Sequence, residues 1–233
     1  IGKSLSMDKI IPSIPIMFRA LGDSEQNFKD FTEAISTTDA FEKTASETIK
    51  INGKEVKVLG VCKGAGMIQP QMTLHATMLA YLMTDAQISP ALWKKMASEV
   101  IEATFNSITV DGCTSTNDSV FALTSQAAEN KKIIKADADY KKLYNALFKV
   151  AYKLSELIVK DGEGATKVIR VTVKGAKSLQ NAKDGCRVIC NSMLVKTAMY
   201  GCNPNIGRIT QILGQIGLVD SNWAQDIKLV GLD

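Results

Sequence analysis

The stretch "TIKINGKEVKV", residues 48–58, constrains the fold of this chain more than any other segment. Apolar side chains alternate with polar ones on both sides of Asn52-Gly53, at Ile49, Ile51, Val56 and Val58. This alternation is typical of half-buried strands, and Asn-Gly favours the positive φ angles of a tight hairpin turn. The sequence therefore predicts a β-hairpin.

Helical and strand patterns alternate along the rest of the chain. Hydrophobic periodicity predicts helices over 24–35, from Pro90 onward and over 140–157, and strands over 108–110 and 167–175. No linker or repeat divides the chain, so we expect one catalytic-type domain over 1–233. The mixture predicts an α/β fold.

Composition narrows the class of partner. Lys and Arg number 28 against 24 Asp and Glu, and the basic residues form no dense run, so a nucleic-acid surface is not indicated. No apolar run reaches the roughly 18 residues of a membrane span, and the first residues do not resemble a signal peptide. We expect a cytoplasmic protein, or one of the mitochondrial matrix in a eukaryote.

The five cysteines do not predict a disulfide framework or a metal site. Their number is odd and none forms a CxxC pair. Cys186 and Cys190 share a helix face, but without a further His or Cys nearby we expect buried thiols there and no zinc.

Three loops rich in Gly, Thr, Ser, Asp and Asn each lie beside a predicted strand or helix end. They are "KGAGMIQP" (63–70), "DGCTSTND" (111–118) and "DGEGATK" (161–167). A rigid scaffold can present such loops to a ligand. The first is not a phosphate-binding P-loop, because Lys63 precedes the glycines.

Two residues between the first loop and the following apolar run could carry chemistry. His75 is the one histidine, and an exposed or capping role is favoured over a catalytic one. Thr77 precedes a run that we interpret as an apolar helix, so its residue type favours an N-cap. A cut before Thr77 would instead give it an α-amine, which could act as base for its own hydroxyl.

Five motifs occur along the chain in the order "KGAGMIQP...ATMLAYLMTDA", "ITVDGCTSTNDSV", "DGEGATKVIRVTVKGA", "NSMLVKTAMYG" and "NPNIGRI". Together with the first segment, "IGKSLSMDKI...AISTTDAF", they resemble the ornithine acetyltransferase (glutamate N-acetyltransferase) family of arginine biosynthesis. The resemblance implies a layered sandwich of stacked β-sheets flanked by helices, shared with self-processing aminopeptidases. It also implies autoproteolysis between Ala76 and Thr77, into fragments 1–76 and 77–233.

The resemblance further implies a reaction. Thr77 would take the acetyl group from N-acetylornithine and pass it to glutamate, with no bound cofactor and with acetyl-CoA as an alternative donor in some members. The implied substrate-binding residues are Thr37, Lys63, Thr77 and Glu163, while Asp111, Thr116, Asn117 and Asp118 would brace the site by hydrogen bonds. The two fragments would bind each other, in a homo-oligomer of heterodimers.

The chain departs from the family pattern at several positions. Thr73, Leu74 and His75 lengthen the loop before the scissile bond, and Cys113, Asn203 and Ile206 replace the usual Asp, Asp and Trp. The family's oxyanion Thr-Gly pair matches a position just upstream of Ile1-Gly2, and its last substrate contacts match positions beyond Asp233. We therefore expect a central portion of a longer protein.

Two other functions stay open at this stage. A self-processed N-terminal-Thr amidohydrolase or aminopeptidase would use the same nucleophile on a peptide amide. A non-catalytic relative that binds an amino acid would use the same loops without turnover.

Overall fold

The computed structural model of the chain describes residues 4–71 and 77–217. Its elements follow in the order α1 (Met7–Arg19), α2 (Glu25–Ile35), β1 (Lys43–Ile51), β2 (Lys54–Lys63), β3 (Leu79–Thr84), α3 (Pro90–Ala103), β4 (Ser119–Thr124), α4 (Ala138–Lys160), α5 (Leu179–Asn191), α6 (Met193–Tyr200) and α7 (Ile206–Gln215). The helices predicted over 24–35, from Pro90 and over 140–157 are confirmed as α2, α3 and α4.

Within these residues the strands form one mixed sheet, in the order β1-β2-β3-β4. The pairs β1/β2 and β2/β3 are antiparallel, whereas β3 and β4 are parallel and are connected through α3. Asn52 and Gly53 form the turn between β1 and β2 with φ angles of 50° and 78°. The predicted hairpin is therefore confirmed.

One face of the sheet is covered by α4, which lies across β1 and β2, with α3 beside it. The buried stripe of α4 includes Leu143, Leu147, Val150, Leu154 and Ile158. Gly60 in β2 allows this helix to approach closely, because a Cβ there would lie 2.7 Å from side-chain carbons of both Val150 and Leu154. The predicted α/β class with flanking helices is confirmed, and the described residues form one sheet of the stacked sheets that the resemblance implied.

The other face of the sheet carries a row of aromatic rings. Tyr81 of β3 lies between Phe31 of α2 and Phe121 of β4, with ring centroids 5.0 and 5.1 Å away. Neighbouring residues Ala80 and Leu82 point to the opposite, buried face, as expected of a strand. Helix α2 therefore covers the sheet near the start of β3.

The apolar run after Thr77 is β3, and our interpretation of it as a helix was wrong. Only six residues, Leu79–Thr84, are strand, and short apolar runs do not distinguish helix from strand by periodicity. Pairing with β2 on one side and β4 on the other decides the conformation. Thr77 accordingly lies just before a central strand.

The two strands predicted over 108–110 and 167–175 are also wrong, since neither segment has regular strand structure. In residues 167–175 the side chains still alternate between two sides, as predicted. Ile169 and Val171 pack against a small cluster formed by α5, α6 and α7, at Ile189, Val195, Met199 and Ile209. The alternation thus reflects packing against helices, without a neighbouring strand.

In the part of the chain that the structure describes, no helix combines the length and the apolar character needed to cross a bilayer.

Candidate active site

The first two polar loops are joined by the carboxylate of Asp111. Its Oδ2 accepts a hydrogen bond from the Met67 backbone nitrogen at 2.6 Å, and its Oδ1 accepts one from Ile68 at 3.1 Å. The Val110 nitrogen donates to the Ile68 carbonyl at 2.7 Å. The loops 63–70 and 111–118 therefore form one surface, and Asp111 braces it as the resemblance implied.

The third polar loop reaches the same surface from the end of α4. A Cβ added to Gly66 would lie 3.1 Å from Oε1 of Glu163, so the carboxylate lies directly against the glycine-rich loop. Gly162 packs against Val110, where a Cβ would lie 2.8 Å from Cγ1. The three polar loops therefore lie against one another.

Thr77 lies where these loops meet. Its Oγ1 is in hydrogen-bonding contact with Oγ of Ser115 and lies 3.3 Å from Sδ of Met67. Ser115 is 6% exposed, so the contact to its hydroxyl is largely shielded from water. The hydroxyl of Thr77 is thus held between one residue from each of the first two loops.

The main chain of Thr77 is held by Asp118. Oδ1 of Asp118 accepts hydrogen bonds from the backbone nitrogens of Thr77 and Met78. Its Oδ2 is buried and has no hydrogen-bond partner among the described residues. Burial raises the pKa of Asp118, although these two hydrogen bonds and the charge of Lys63 act to lower it. The carboxyl group therefore keeps a proton more readily than an exposed aspartate.

Thr37 and Lys63 are in direct contact. Nζ of Lys63 donates to Oγ1 of Thr37 at 3.3 Å. Glu163 is exposed beside Gly66, the residue before the Met67 that contacts Thr77. In residues 4–71 and 77–217, no hydrogen bond joins Thr77 to Thr37, Lys63 or Glu163. Lys63, Glu163 and Thr77 are therefore connected through the 63–70 loop, to which Lys63 belongs and which Glu163 and Thr77 contact at Gly66 and Met67.

Part of the predicted cleavage loop lies outside the described residues. This includes His75 and Ala76, and the other two residues of the longer loop, Thr73 and Leu74. Sequence reasoning missed Ser115, which lies in a polar loop where several hydroxyls are equivalent by residue type. Only the fold shows which hydroxyl contacts Thr77.

The cysteines on α5, Cys186 and Cys190, are half-buried, so the prediction of buried thiols there was wrong. Burial raises the pKa of Cys186, and it raises the pKa of Cys190 to about 11. In the described ranges, no three His, Cys, Asp or Glu side chains are grouped so that they could hold a metal ion.

Comparison with known proteins gives the family. A protein-family model described as "ArgJ family" matches residues 1–230. The chain belongs to the ArgJ family. The arginine biosynthesis bifunctional protein ArgJ of Lactococcus lactis is 46% identical over 216 residues, which cover 93% of this chain and 53% of that protein.

A second relative carries a different name. The glutamate N-acetyltransferase of Methanocaldococcus jannaschii is 40% identical over 239 residues, which cover 99% of this chain and 58% of that protein. The chain therefore spans about half the length of the curated relatives it matches. A crystal structure of ArgJ from Bacillus halodurans has a TM-score of 0.58 and 43% identity, covering 60% of this chain and 66% of that one.

Proposed function

We propose that this chain carries the nucleophile of an acetyltransferase of arginine biosynthesis, and that this nucleophile is Oγ1 of Thr77. One observation carries the proposal. The main-chain nitrogen of Thr77 is held by Asp118, and its hydroxyl lies between Ser115 of the same loop and Met67 of the 63–70 loop. The names of the two relatives, a bifunctional arginine biosynthesis protein and a glutamate N-acetyltransferase, support acetyl transfer.

Thr77 is made competent by self-cleavage. Its Oγ1 attacks the carbonyl carbon of Ala76, and the acyl group moves from nitrogen to oxygen, which leaves an ester. Water then hydrolyses the ester, giving the carboxylate of Ala76 and a free α-amine on Thr77. An α-amine has a pKa of about 8, which suits proton transfer at neutral pH.

The freed Thr77 then reacts in two half-reactions. Its hydroxyl attacks the acetyl carbonyl of N-acetylornithine, its own amine takes the hydroxyl proton, and that proton leaves with the ornithine amine. The amine of glutamate next attacks the acetyl ester, which gives N-acetylglutamate and restores the hydroxyl. Acetyl-CoA would enter as an alternative acetyl donor in place of N-acetylornithine.

Lys63 and Glu163 suit the two charged ends of an amino acid. The ammonium of Lys63 pairs with a substrate α-carboxylate, and Thr37 holds that ammonium in place. The exposed carboxylate of Glu163 pairs with a substrate amino group on the other side of Gly66. The two fragments stay together as one unit, and such units assemble as a homo-oligomer.

The test compares T77A, T77S and the control T73A in the complete polypeptide that carries these residues. Intact-mass analysis should find fragments meeting at Ala76/Thr77 in wild type, T73A and, more slowly, T77S. T77A should stay uncut and form no N-acetylglutamate. An uncut polypeptide that transfers acetyl groups would contradict Thr77 as nucleophile.

The products separate the other two functions. Free acetate or a released peptide, without N-acetylglutamate, would select the amidohydrolase. Saturable ornithine binding without turnover would select the binding relative.

A further inference from the structure

Three charged side chains are buried together beneath the surface that carries Thr37, Lys63 and Glu163. Nζ of Lys43 lies 2.5 Å from Oδ1 of Asp39 and 2.6 Å from Oδ2 of Asp161, and the three side chains are 0%, 2% and 3% exposed. We call these residues the Lys43 triad. Because desolvating charges is costly, apolar residues of similar size would often serve stability equally well. The triad therefore calls for a reason other than stability.

Backbone hydrogen bonds connect the triad to two segments, the loop before β1 and the end of β2, while Asp161 itself lies at the end of α4. Asp39 accepts from the Gly64 nitrogen at 2.7 Å and from the Thr37 nitrogen at 3.1 Å. Asp161 accepts from the Ala40 nitrogen at 3.0 and 3.2 Å, one distance to each oxygen. The loop before β1, the end of β2 and the end of α4 are thus held by one buried ammonium.

Each of these segments carries a substrate-binding residue of the proposed function. Thr37 is itself bonded to Asp39, Lys63 directly precedes the bonded Gly64, and Glu163 lies two residues after Asp161. A small shift of the triad would move all three relative to one another. A change that weakens substrate binding without altering the reacting group raises KM and leaves kcat unchanged.

The nucleophile is held by a different set of contacts. Within the described residues, Thr77 is hydrogen-bonded to Asp118, Ser115 and Met67, and to no member of the Lys43 triad. The site therefore divides into a part that holds Thr77 and a part that the triad organises.

We propose that Lys43, Asp39 and Asp161 are positioning residues that set the spacing of Thr37, Lys63 and Glu163 for binding of the amino-acid substrate. This rests on the proposed function and extends it from the reacting group to substrate recognition. The triad acts through the three surface residues and touches no reacting atom.

The experiment measures KM and kcat for glutamate and N-acetylornithine in K43M, D161N and the neutral triple variant K43M/D39N/D161N. The control is K149M, because Lys149 pairs with Glu47 at 3.4 Å across the same two elements, α4 and β1, but is exposed. Self-cleavage is followed by intact mass in every variant. The complete polypeptide is used throughout.

The triad variants should raise KM for both substrates by about tenfold or more, with kcat within about threefold of wild type and with cleavage retained. K149M should match wild type. The triple variant leaves no buried charge unpaired, so it provides the measurement if the single variants do not fold. Folded triad variants with wild-type KM, or with a reduced kcat and unchanged KM, would overturn the proposal.

Failure of the proposed function has a different signature. A wild-type polypeptide that neither cleaves nor transfers acetyl groups contradicts the function itself. In that case calorimetric binding of ornithine and glutamate to wild type and triple variant decides the role of the triad, with equal affinities overturning it.

Discussion

Asp118 holds Thr77 by its main chain, since Oδ1 of Asp118 accepts a hydrogen bond from the Thr77 backbone nitrogen and a second one from Met78. The nitrogen that Asp118 contacts is the one that self-cleavage would turn into the α-amine of Thr77. The position of Asp118 therefore bears on both self-cleavage and acetyl transfer.

Replacing Asp118 should separate the need for an acceptor from the need for a charge. D118A removes the acceptor of both backbone nitrogens, and we expect cleavage and acetyl transfer to slow by about a hundredfold. D118N keeps an acceptor oxygen of the same reach and should stay within about tenfold of wild type. The rate of fragment formation, followed by intact mass, checks both. If the D118A polypeptide cleaves at the wild-type rate, Asp118 has no role in self-cleavage.

Ser115 should matter through its contact with the hydroxyl of Thr77. S115A removes that contact, so we expect transfer to fall by about tenfold, the scale of one lost hydrogen bond of about 1.4 kcal/mol. S119A is the control, since the hydroxyl of Ser119 contacts the Asn117 carbonyl at 3.5 Å. Initial rates of N-acetylglutamate formation give the comparison, and equal rates for S115A and S119A would show that Ser115 has no role.

Even the smallest side chain at position 60 should lower the free energy of unfolding. A Cβ there would lie 2.7 Å from Val150 and Leu154, so G60A should lower the free energy of unfolding by about 1–3 kcal/mol through overpacking. G214A is the control, because its Cβ would meet nothing within 4 Å and Ala favours the helix by about 1 kcal/mol. Urea unfolding followed by circular dichroism measures both. If G60A is as stable as wild type, α4 does not approach β2 this closely.

Asp39 should make the fold acid-sensitive. Burial would raise the pKa of Asp39, but hydrogen bonds from the Gly64 nitrogen, the Lys43 ammonium and the Thr37 nitrogen outweigh it and hold the pKa below its usual value. A carboxyl group with a lowered pKa stabilises the fold above its unfolded pKa of about 3.9. That contribution is lost as the pH falls through the folded pKa.

The measurement is the free energy of unfolding at about pH 5 and about pH 3, in wild type and D39N. The wild-type value should fall more than that of D39N, because the amide side chain of the variant cannot titrate. If the free energy of unfolding falls equally in the two proteins, the acid sensitivity comes from groups other than Asp39.

Local signals were enough to predict much of the scaffold. The Asn52-Gly53 turn, Pro90 at the start of α3 and the long stripe of α4 are each determined by neighbours within a few residues. β3 could not be assigned in this way, because its six residues become a strand through pairing with β2 and β4.

In the candidate site, too, local sequence predicted some features, while others depend on contacts between distant residues. Polar composition pointed to three loops that could present groups to a ligand, and these loops contact one another in the structure, while motif resemblance singled out Thr77. Lys43 carries no such signal, because it begins a strand of alternating pattern in which lysines are usually exposed. Its burial depends on Asp161, 118 residues further along the chain.

The order of strands in the sheet has a consequence for a chain cut before Thr77. β1 and β2 would then belong to one polypeptide and β3 and β4 to another, while the β2–β3 ladder and the packing of α4 on β1 and β2 would still join them. The nick would lie inside a continuous sheet. Separating the two pieces would expose the hydrogen-bonding edges of β2 and β3 and the apolar stripe of α4, so we expect either piece made alone to aggregate, and co-expression of both to restore a soluble complex.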